Sequence, residues 1–295
     1  MLPKDILKKI RRIEIKTSRM VSDVFAGQYH SVFKGRGMEF DEVREYQPGD
    51  EIRSIDWNVT ARMGHPFIKK FVEERQLTVM LLMDASGSSF FGSKAQLKSE
   101  LAAELCSVLA FSAIKNNDQV GLIIFSDRIE KFIPPRKGSR HVLRVIREVL
   151  FHKPEGKKTD IRCALDYLNN VMHKKTVTFL ISDFLDCEFK TQLAITNKRH
   201  DLIAVTITDP REQTLPKAGI IRFEDAETQA VQLVDAANKF ARAAFEKNSA
   251  RVLAGRDKLL KQAGVDIINI RTDAPYTQEL VRFFRIREKK RKRKK

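Results

Sequence analysis

Only three cysteines, one tryptophan and four tyrosines occur in 295 residues, and no apolar run approaches the roughly 20 residues that a helix needs to cross a bilayer. Each scarcity excludes something. Cys106, Cys163 and Cys187 lack zinc-type spacing and fall within predicted helices or near strand ends, so they are expected as reduced, mostly buried thiols. The start, Met1-Leu2-Pro3-Lys4-Asp5, lacks the apolar core of a secretory signal, and the expected location is cytoplasmic. The histidines His30, His65, His141, His152, His173 and His200 form no H-E-x-x-H pair. Ser86 does not sit in G-x-S-x-G, and there is no G-x-x-x-x-G-K-[ST] loop. With no evident nucleophile and base, the chain is expected not to be an enzyme. Few aromatics and no R-G-F-type motif leave nucleic-acid binding resting on charge alone.

Positive charge is abundant, at a formal +17. It is unevenly spread: Arg285 to Lys295 holds nine basic residues and one acid. Such a run is expected to be a solvated, disordered tail, 285–295, whose contacts would be weak ones with polyanions, nucleic acid or an anionic membrane. A hydrophobic content of 42% in 295 residues argues against wholesale disorder and leaves ample chain for one large α/β domain or two ordinary ones.

The organising stretch is Leu77–Ser89. Leu77-Thr78-Val79-Met80-Leu81-Leu82-Met83 suits a strand buried on both faces, and it stops at Asp84-Ala85-Ser86-Gly87-Ser88-Ser89. Lys94 to Asn117 then reads as a helix with Leu97, Leu101, Leu105, Val108 and Ser112 on one face. Strand, polar loop and helix open an α/β unit, and ligands of open parallel sheets collect at strand carboxyl ends. Asp84, Ser86 and Ser88 form D-x-S-x-S, three short oxygen-bearing side chains able to converge on one point. Hard oxygens of this kind suit Mg²⁺ or Mn²⁺ better than Zn²⁺. The same residues are also the usual ones for a turn and a helix cap, and the residues alone leave both readings open.

Upstream, Ile6, Ile10, Ile13, Thr17, Met20 and Val24 mark a basic amphipathic helix, expected to dock on the protein's own body. Gly27 to Arg75 reads as small β and loop structure, closing with an extended Phe67–Arg75. In it Asp50, Arg53, Asp56 and Arg62 are expected to pair with one another and Trp57 to anchor a small core. The alternative is a partner-contact surface. Downstream, strands are predicted at Gln119–Phe125, Ile129–Ile133 (ended by Pro134-Pro135), Thr176–Ile181, Asp201–Ile207 and Val265–Ile270. Helices are predicted from Gly138-Ser139 through Val149, over Ile161–Val171, over Asp235–Ala263 and over Thr277–Phe284, with a short hairpin at Ile220–Glu227. This alternation predicts an α/β fold with a doubly wound, mostly parallel sheet. The expected organisation is an N-terminal helix and small β/loop module at 1–75, packed on a main domain at 76–284.

Asp84-x-Ser86-x-Ser88, Thr159 within Gly156-Lys157-Lys158-Thr159-Asp160, and Asp183 after a strand together resemble the metal-ion-dependent adhesion site of von Willebrand factor A domains. Gly35-Arg36-Gly37-Met38-Glu39-Phe40, Arg44-Glu45-Tyr46-Gln47-Pro48-Gly49-Asp50 and Arg53-Ser54-Ile55-Asp56-Trp57-Asn58-Val59-Thr60-Ala61-Arg62 resemble the signature of bacterial domain-of-unknown-function family 58, whose members are associated with MoxR-type AAA+ ATPases. The resemblance covers nearly the whole chain. It implies a Rossmann-type, von Willebrand factor A-like fold and an ion, Mg²⁺ or Mn²⁺, held by the hydroxyls of Ser86, Ser88 and Thr159 and the carboxylates of Asp84 and Asp183, directly or through water. It also implies an adaptor in protein maturation or complex assembly, taking an acidic side chain from the ATPase or its client as a remaining ligand. Taken alone, Thr159 reads equally as a helix N-cap and Asp183 as a strand-end turn. The competing classes are a Mg²⁺-dependent hydrolase or phosphoryl-transfer enzyme, and a nucleic-acid or anionic-membrane binder.

Overall fold

A computed structural model describes Tyr29 and residues 39–72, 76–93, 96–186 and 189–292. The predicted helix over Ile6–Val24, the motif residues Gly35–Met38 and Cys187 lie outside these. Two compact units result, Phe33–Leu77 and a larger one running from Thr78 onward. The boundary falls two residues beyond the expected Arg75. Tyr29 belongs to the larger unit, where its ring meets Phe284 edge-on at 6.2 Å.

The smaller unit is a hairpin of β1 (Glu39–Glu45) and β2 (Phe67–Val72), antiparallel, with α1 (Trp57–Met63) in the connection. Asp56 caps α1 by accepting from the Asn58 and Val59 N–H groups at 3.0 and 3.3 Å, and Gly64, at φ 77°, ends it. That cap sets the rotation of the helix. Val59 and Thr60 are half-buried and Ile68 is buried, whereas Trp57 is 67% exposed. Trp57 is therefore not a core anchor. Asp50 pairs with Arg44 at 2.7 Å, not with Arg53 or Arg62 as expected, because the turn after β1 folds it back onto its own strand.

The larger unit is built on a six-stranded sheet of β3 (Thr78–Asp84), β4 (Gln119–Phe125), β5 (Ile129–Arg136), β6 (Val177–Ser182), β7 (Asp201–Thr208) and β10 (Asp266–Arg271). Its order is β10-β7-β6-β3-β4-β5, parallel throughout except for β5 at one edge. This is the doubly wound arrangement expected, with a change of winding direction between β3 and β6. Consecutive residues of β3 from Val79 to Met83 are all buried, so both faces of the strand are covered and its sequence is apolar without alternation. On one face Met80, Leu82, Ile123, Phe125 and Leu180 pack with Ile161, Leu165 and Leu168 of α4 (Ile161–Val171). Helices α2 (Lys98–Lys115), α3 (Ser139–Phe151), α5 (Lys190–Arg199), α6 (Lys239–Gln262) and α7 (Tyr276–Lys292) complete the unit, with a hairpin of β8 (Ile220–Glu224) and β9 (Val231–Asp235) ahead of α6.

Several boundaries differ from expectation for physical reasons. β5 runs past Pro134-Pro135, because it is an edge strand with a register shift there and a missing N–H costs no ladder bond. The stretch after Glu227 supplies a second hairpin strand, so α6 begins only at Lys239, where Asn238 caps it. α7 continues to Lys292 and does not end at Phe284. Two basic residues of this extension have acidic partners: Arg287 reaches Asp201 and Asp266, and Lys290 reaches Asp266 at 3.2 Å. The first part of the expected disordered tail is thus helical. Cys106 is buried, which pushes its thiol up to about 12, and Cys163 is half-buried; both are free. Among the described residues no helix is long and apolar enough to cross a membrane.

Candidate metal centre

Adjacent parallel strands β3 and β6 end side by side, with Met83 opposite Ile181, and the chain leaves them in opposite directions. The crevice so formed receives Asp84 from β3. Asp84 is 2% exposed; one carboxylate oxygen accepts from the Ser86 N–H at 2.9 Å and the other from the Ser182 hydroxyl at 2.7 Å. Ser86 is fully buried, and its hydroxyl lies 3.1 Å from that of Ser88. A 3-10 turn over Gly87–Phe90 follows, and α2 starts only at Lys98. The D-x-S-x-S loop therefore does not cap the helix.

The loop carrying Thr159 is held from below by Glu130 of β5. Its carboxylate accepts from the Ser126 hydroxyl at 2.6 Å and from the Gly156 N–H at 2.8 Å. Partial burial opposes ionisation, but these donors and His152 win and keep the carboxyl below its ordinary value. Gly156 packs closely here: a Cβ would lie 2.1 Å from an Asp127 carboxylate oxygen and 2.2 Å from the Ser126 hydroxyl, so both side chains would have to shift. A bond from the Gly87 N–H to the Lys157 carbonyl, 2.8 Å, ties this loop to the serine loop. The cap of α4 is Asp160, which accepts from Cys163 N–H at 3.1 Å, so Thr159 is free of that role. Its hydroxyl instead donates to Glu227 at 2.7 Å.

Asp183 follows β6 as expected, but its carboxylate is engaged. One oxygen accepts from the ammonium of Lys98 at 2.9 Å and the other from the Leu185 N–H at 3.3 Å. Lys98 is 3% exposed and also pairs with Glu212. Burial alone would lower its pKa; the two carboxylates outweigh that and raise it, so the ammonium is charged. Arg256 of α6 donates to the Asp183 carbonyl at 3.2 Å. Burial, and next the charge of Asp183, push Asp84 up to about 6. A cleft of about 180 Å³ opens beside Asp183, lined by Leu185, Thr208, Phe245 and Arg256 among others.

These features fit a small hard cation. Two ligand oxygens at right angles on an ion with bonds of about 2.0–2.1 Å lie roughly 3 Å apart, which is the separation of the two serine hydroxyls. Asp84 is a buried carboxylate whose ionisation is opposed by burial and by the charge of Asp183, a situation that a cation relieves. No group of three or more histidine, cysteine or acidic side chains is placed to hold a metal among the described residues. An ion here would thus depend on hydroxyl oxygens, with Asp84 adjoining them and Asp183 already balanced by Lys98.

Lys98, Glu212, Arg256 and Glu227 were not anticipated. Lys98 could have been found: it lies three residues before Leu101 and seven before Leu105, on the buried stripe, whereas the expected Leu97 is an exposed cap. Nothing local marks Glu227, whose partner lies 68 residues away in sequence.

A family model described as Protein of unknown function DUF58 matches residues 42–254. The chain belongs to that family. Uncharacterized proteins of Mycobacterium bovis and Mycobacterium tuberculosis are each 30% identical to it over 283 residues, which is 93% of this chain and 87% of theirs. Among solved structures it is similar to the conserved hypothetical protein BatB from Bacteroides thetaiotaomicron, with a TM-score of 0.46 and 15% identity over 72% of this chain and 99% of that one. It is also similar to the SpRpn10 VWA domain, with a TM-score of 0.37 and 11% identity over 70% of this chain and 94% of that one.

Proposed function

We propose that this chain is a non-enzymatic, metal-dependent protein-interaction adaptor that works with a MoxR-type AAA+ ATPase in protein maturation or complex assembly. The observation that carries the reading is the pair of hydroxyls of Ser86 and Ser88, 3.1 Å apart at the switch point of the sheet, with Thr159 on the adjoining loop. Neutral oxygens of this kind would hold Mg²⁺ or Mn²⁺ with Asp84, and Asp183 would act directly or through water. When bound, such an ion supplies an electrophilic position able to take one further carboxylate. Lys98 strengthens this reading, because it offsets the charge of Asp183 and leaves the site short of anionic ligands. An acidic side chain of the ATPase or its client would complete it, and a charge-assisted contact in a partly desolvated crevice favours specificity.

The non-enzymatic part of the reading rests on the sequence, which offers no recognised nucleophile-and-base motif beside these residues. The test is association with a MoxR-type ATPase from the same cell, measured with Mg²⁺ and with chelator. Binding should require the metal and be lost in Asp84→Ala; equal affinity in both conditions would contradict the docking role, and metal-dependent hydrolysis of phosphate esters by the purified chain would favour an enzyme.

A further inference from the structure

The Ser86–Ser88 loop and the Thr159 loop are both met by a third segment, the turn of the β8–β9 hairpin. We propose that Glu227 on this turn is a tethered ligand of the candidate metal centre, occupying in cis the position that a partner's acidic side chain would take. This rests on the metal-dependent reading above and adds to it a ligand and a means of closing the site.

Glu227 accepts from the Thr159 hydroxyl at 2.7 Å. A hydroxyl that donates its proton to a carboxylate still has lone pairs for a cation, so Thr159 can serve both at once. One residue earlier, the Ala226 carbonyl stands where a side chain at position 87 would be: a Cβ on Gly87 would lie 2.5 Å from it. Gly87 separates Ser86 from Ser88, so the second variable position of the D-x-S-x-S motif is glycine where the hairpin seats against it. The tip thus touches both hydroxyl-bearing loops.

Glu227 is not needed to make the turn. Asp225 builds it, accepting from the N–H groups of Glu227 at 2.8 Å and Thr228 at 3.0 Å, while the Gln229 N–H donates to the Asp225 carbonyl at 2.8 Å. Gln229 closes the turn at φ 59°. The side chain of Glu227 is therefore available to reach across to Thr159. The hairpin is also lightly attached. Phe223 stacks on Phe245 of α6 at 6.0 Å, yet Ile220 and Leu233 are 74% and 67% exposed. Lifting the tip uncovers little apolar surface, so a competing carboxylate could displace Glu227 without unfolding the unit.

The experiment uses the full chain as wild type, Glu227→Gln and Glu227→Ala, with Mn²⁺ as probe. Free Mn²⁺ is counted by electron paramagnetic resonance, and solvent water on bound Mn²⁺ by proton relaxation enhancement. Glu227→Ala should bind Mn²⁺ roughly tenfold more weakly, the scale on which metal sites respond to losing a supporting group. Its bound ion should also carry about one more exchanging water in place of the carboxylate. Glu227→Gln should shift both readings in the same direction, which separates ligation from any effect of truncation on the turn. Mn²⁺ bound with unchanged or higher affinity, or with an unchanged water count, in the variants would overturn the role of Glu227 and leave the metal centre standing. Absence of Mn²⁺ binding by wild type and variants alike would overturn both.

Discussion

Lys98 is the residue on which the electrostatics of the centre turn. It is a buried ammonium between two carboxylates, Asp183 and Glu212, and removing it would strand both. Breaking a buried ion pair from one side costs about 3–5 kcal/mol. Lys98→Met should lower the stability found by urea denaturation at pH 7 by that order, and a loss below about 1 kcal/mol would show that the cluster is not buried as described. Asp84 behaves oppositely. Its pKa is raised to about 6 by burial and by Asp183, so the folded protein holds this proton to higher pH than the unfolded chain does. That contribution is complete below about pH 4 and is lost as pH rises through about 6. Asp84→Asn, neutral throughout, should therefore be more stable than wild type by about 1–3 kcal/mol at pH 7.5 with chelator present, and the difference should vanish near pH 4. A variant less stable than wild type at pH 7.5 would contradict this.

Among elements, the loop between α3 and α4 decides whether Thr159 faces the serine loop. Glu130 gathers its backbone, and Gly156 lies so close to the side chains of Ser126 and Asp127 that a Cβ there would force them to shift out of their hydrogen bonds. Gly156→Ala should destabilise the fold by about 1–3 kcal/mol, as overpacking does, and should weaken metal binding although residue 156 is no ligand. Unchanged stability and metal affinity on calorimetry would rule out this positioning role. Strands β3, β6 and β7 stand out because each is an apolar run stopped by a polar end, and Asp84 and Asp183 are marked by those stops. The start of α2, the second strand of the β8–β9 hairpin and the extension of α7 do not stand out. At α2 and α7 contacts with distant residues override a local signal, and in the hairpin Val231–Asp235 pairs with the neighbouring Ile220–Glu224 although its own residues are mostly exposed. The spacing of Lys98 from Leu101 and Leu105 marks it as inward-facing but does not name Asp183 as its partner, and Arg287 reads as part of a charged tail until Asp201 and Asp266 are placed beside it.

For the larger unit as a whole, the fold brings together residues far apart in sequence: Asp84 and Ser182 differ by 98 positions, and Thr159 and Glu227 by 68. The smaller unit carries an exposed apolar set of its own, Ile52, Trp57 and Met63 at 66%, 67% and 57%, where the expectation had been a paired charge network around a buried tryptophan. The account depends on one ion at the switch point, and an ion that binds only the folded chain stabilises it by mass action, about 2.7 kcal/mol at a hundredfold excess over Kd. Isothermal titration of chelator-treated protein with Mg²⁺ or Mn²⁺ is the most direct measurement. The account predicts one site per chain, abolished in Asp84→Ala and in the double variant Ser86→Ala/Ser88→Ala, each checked for folding by circular dichroism. Equal binding by wild type and both variants, or no binding by wild type, would contradict it.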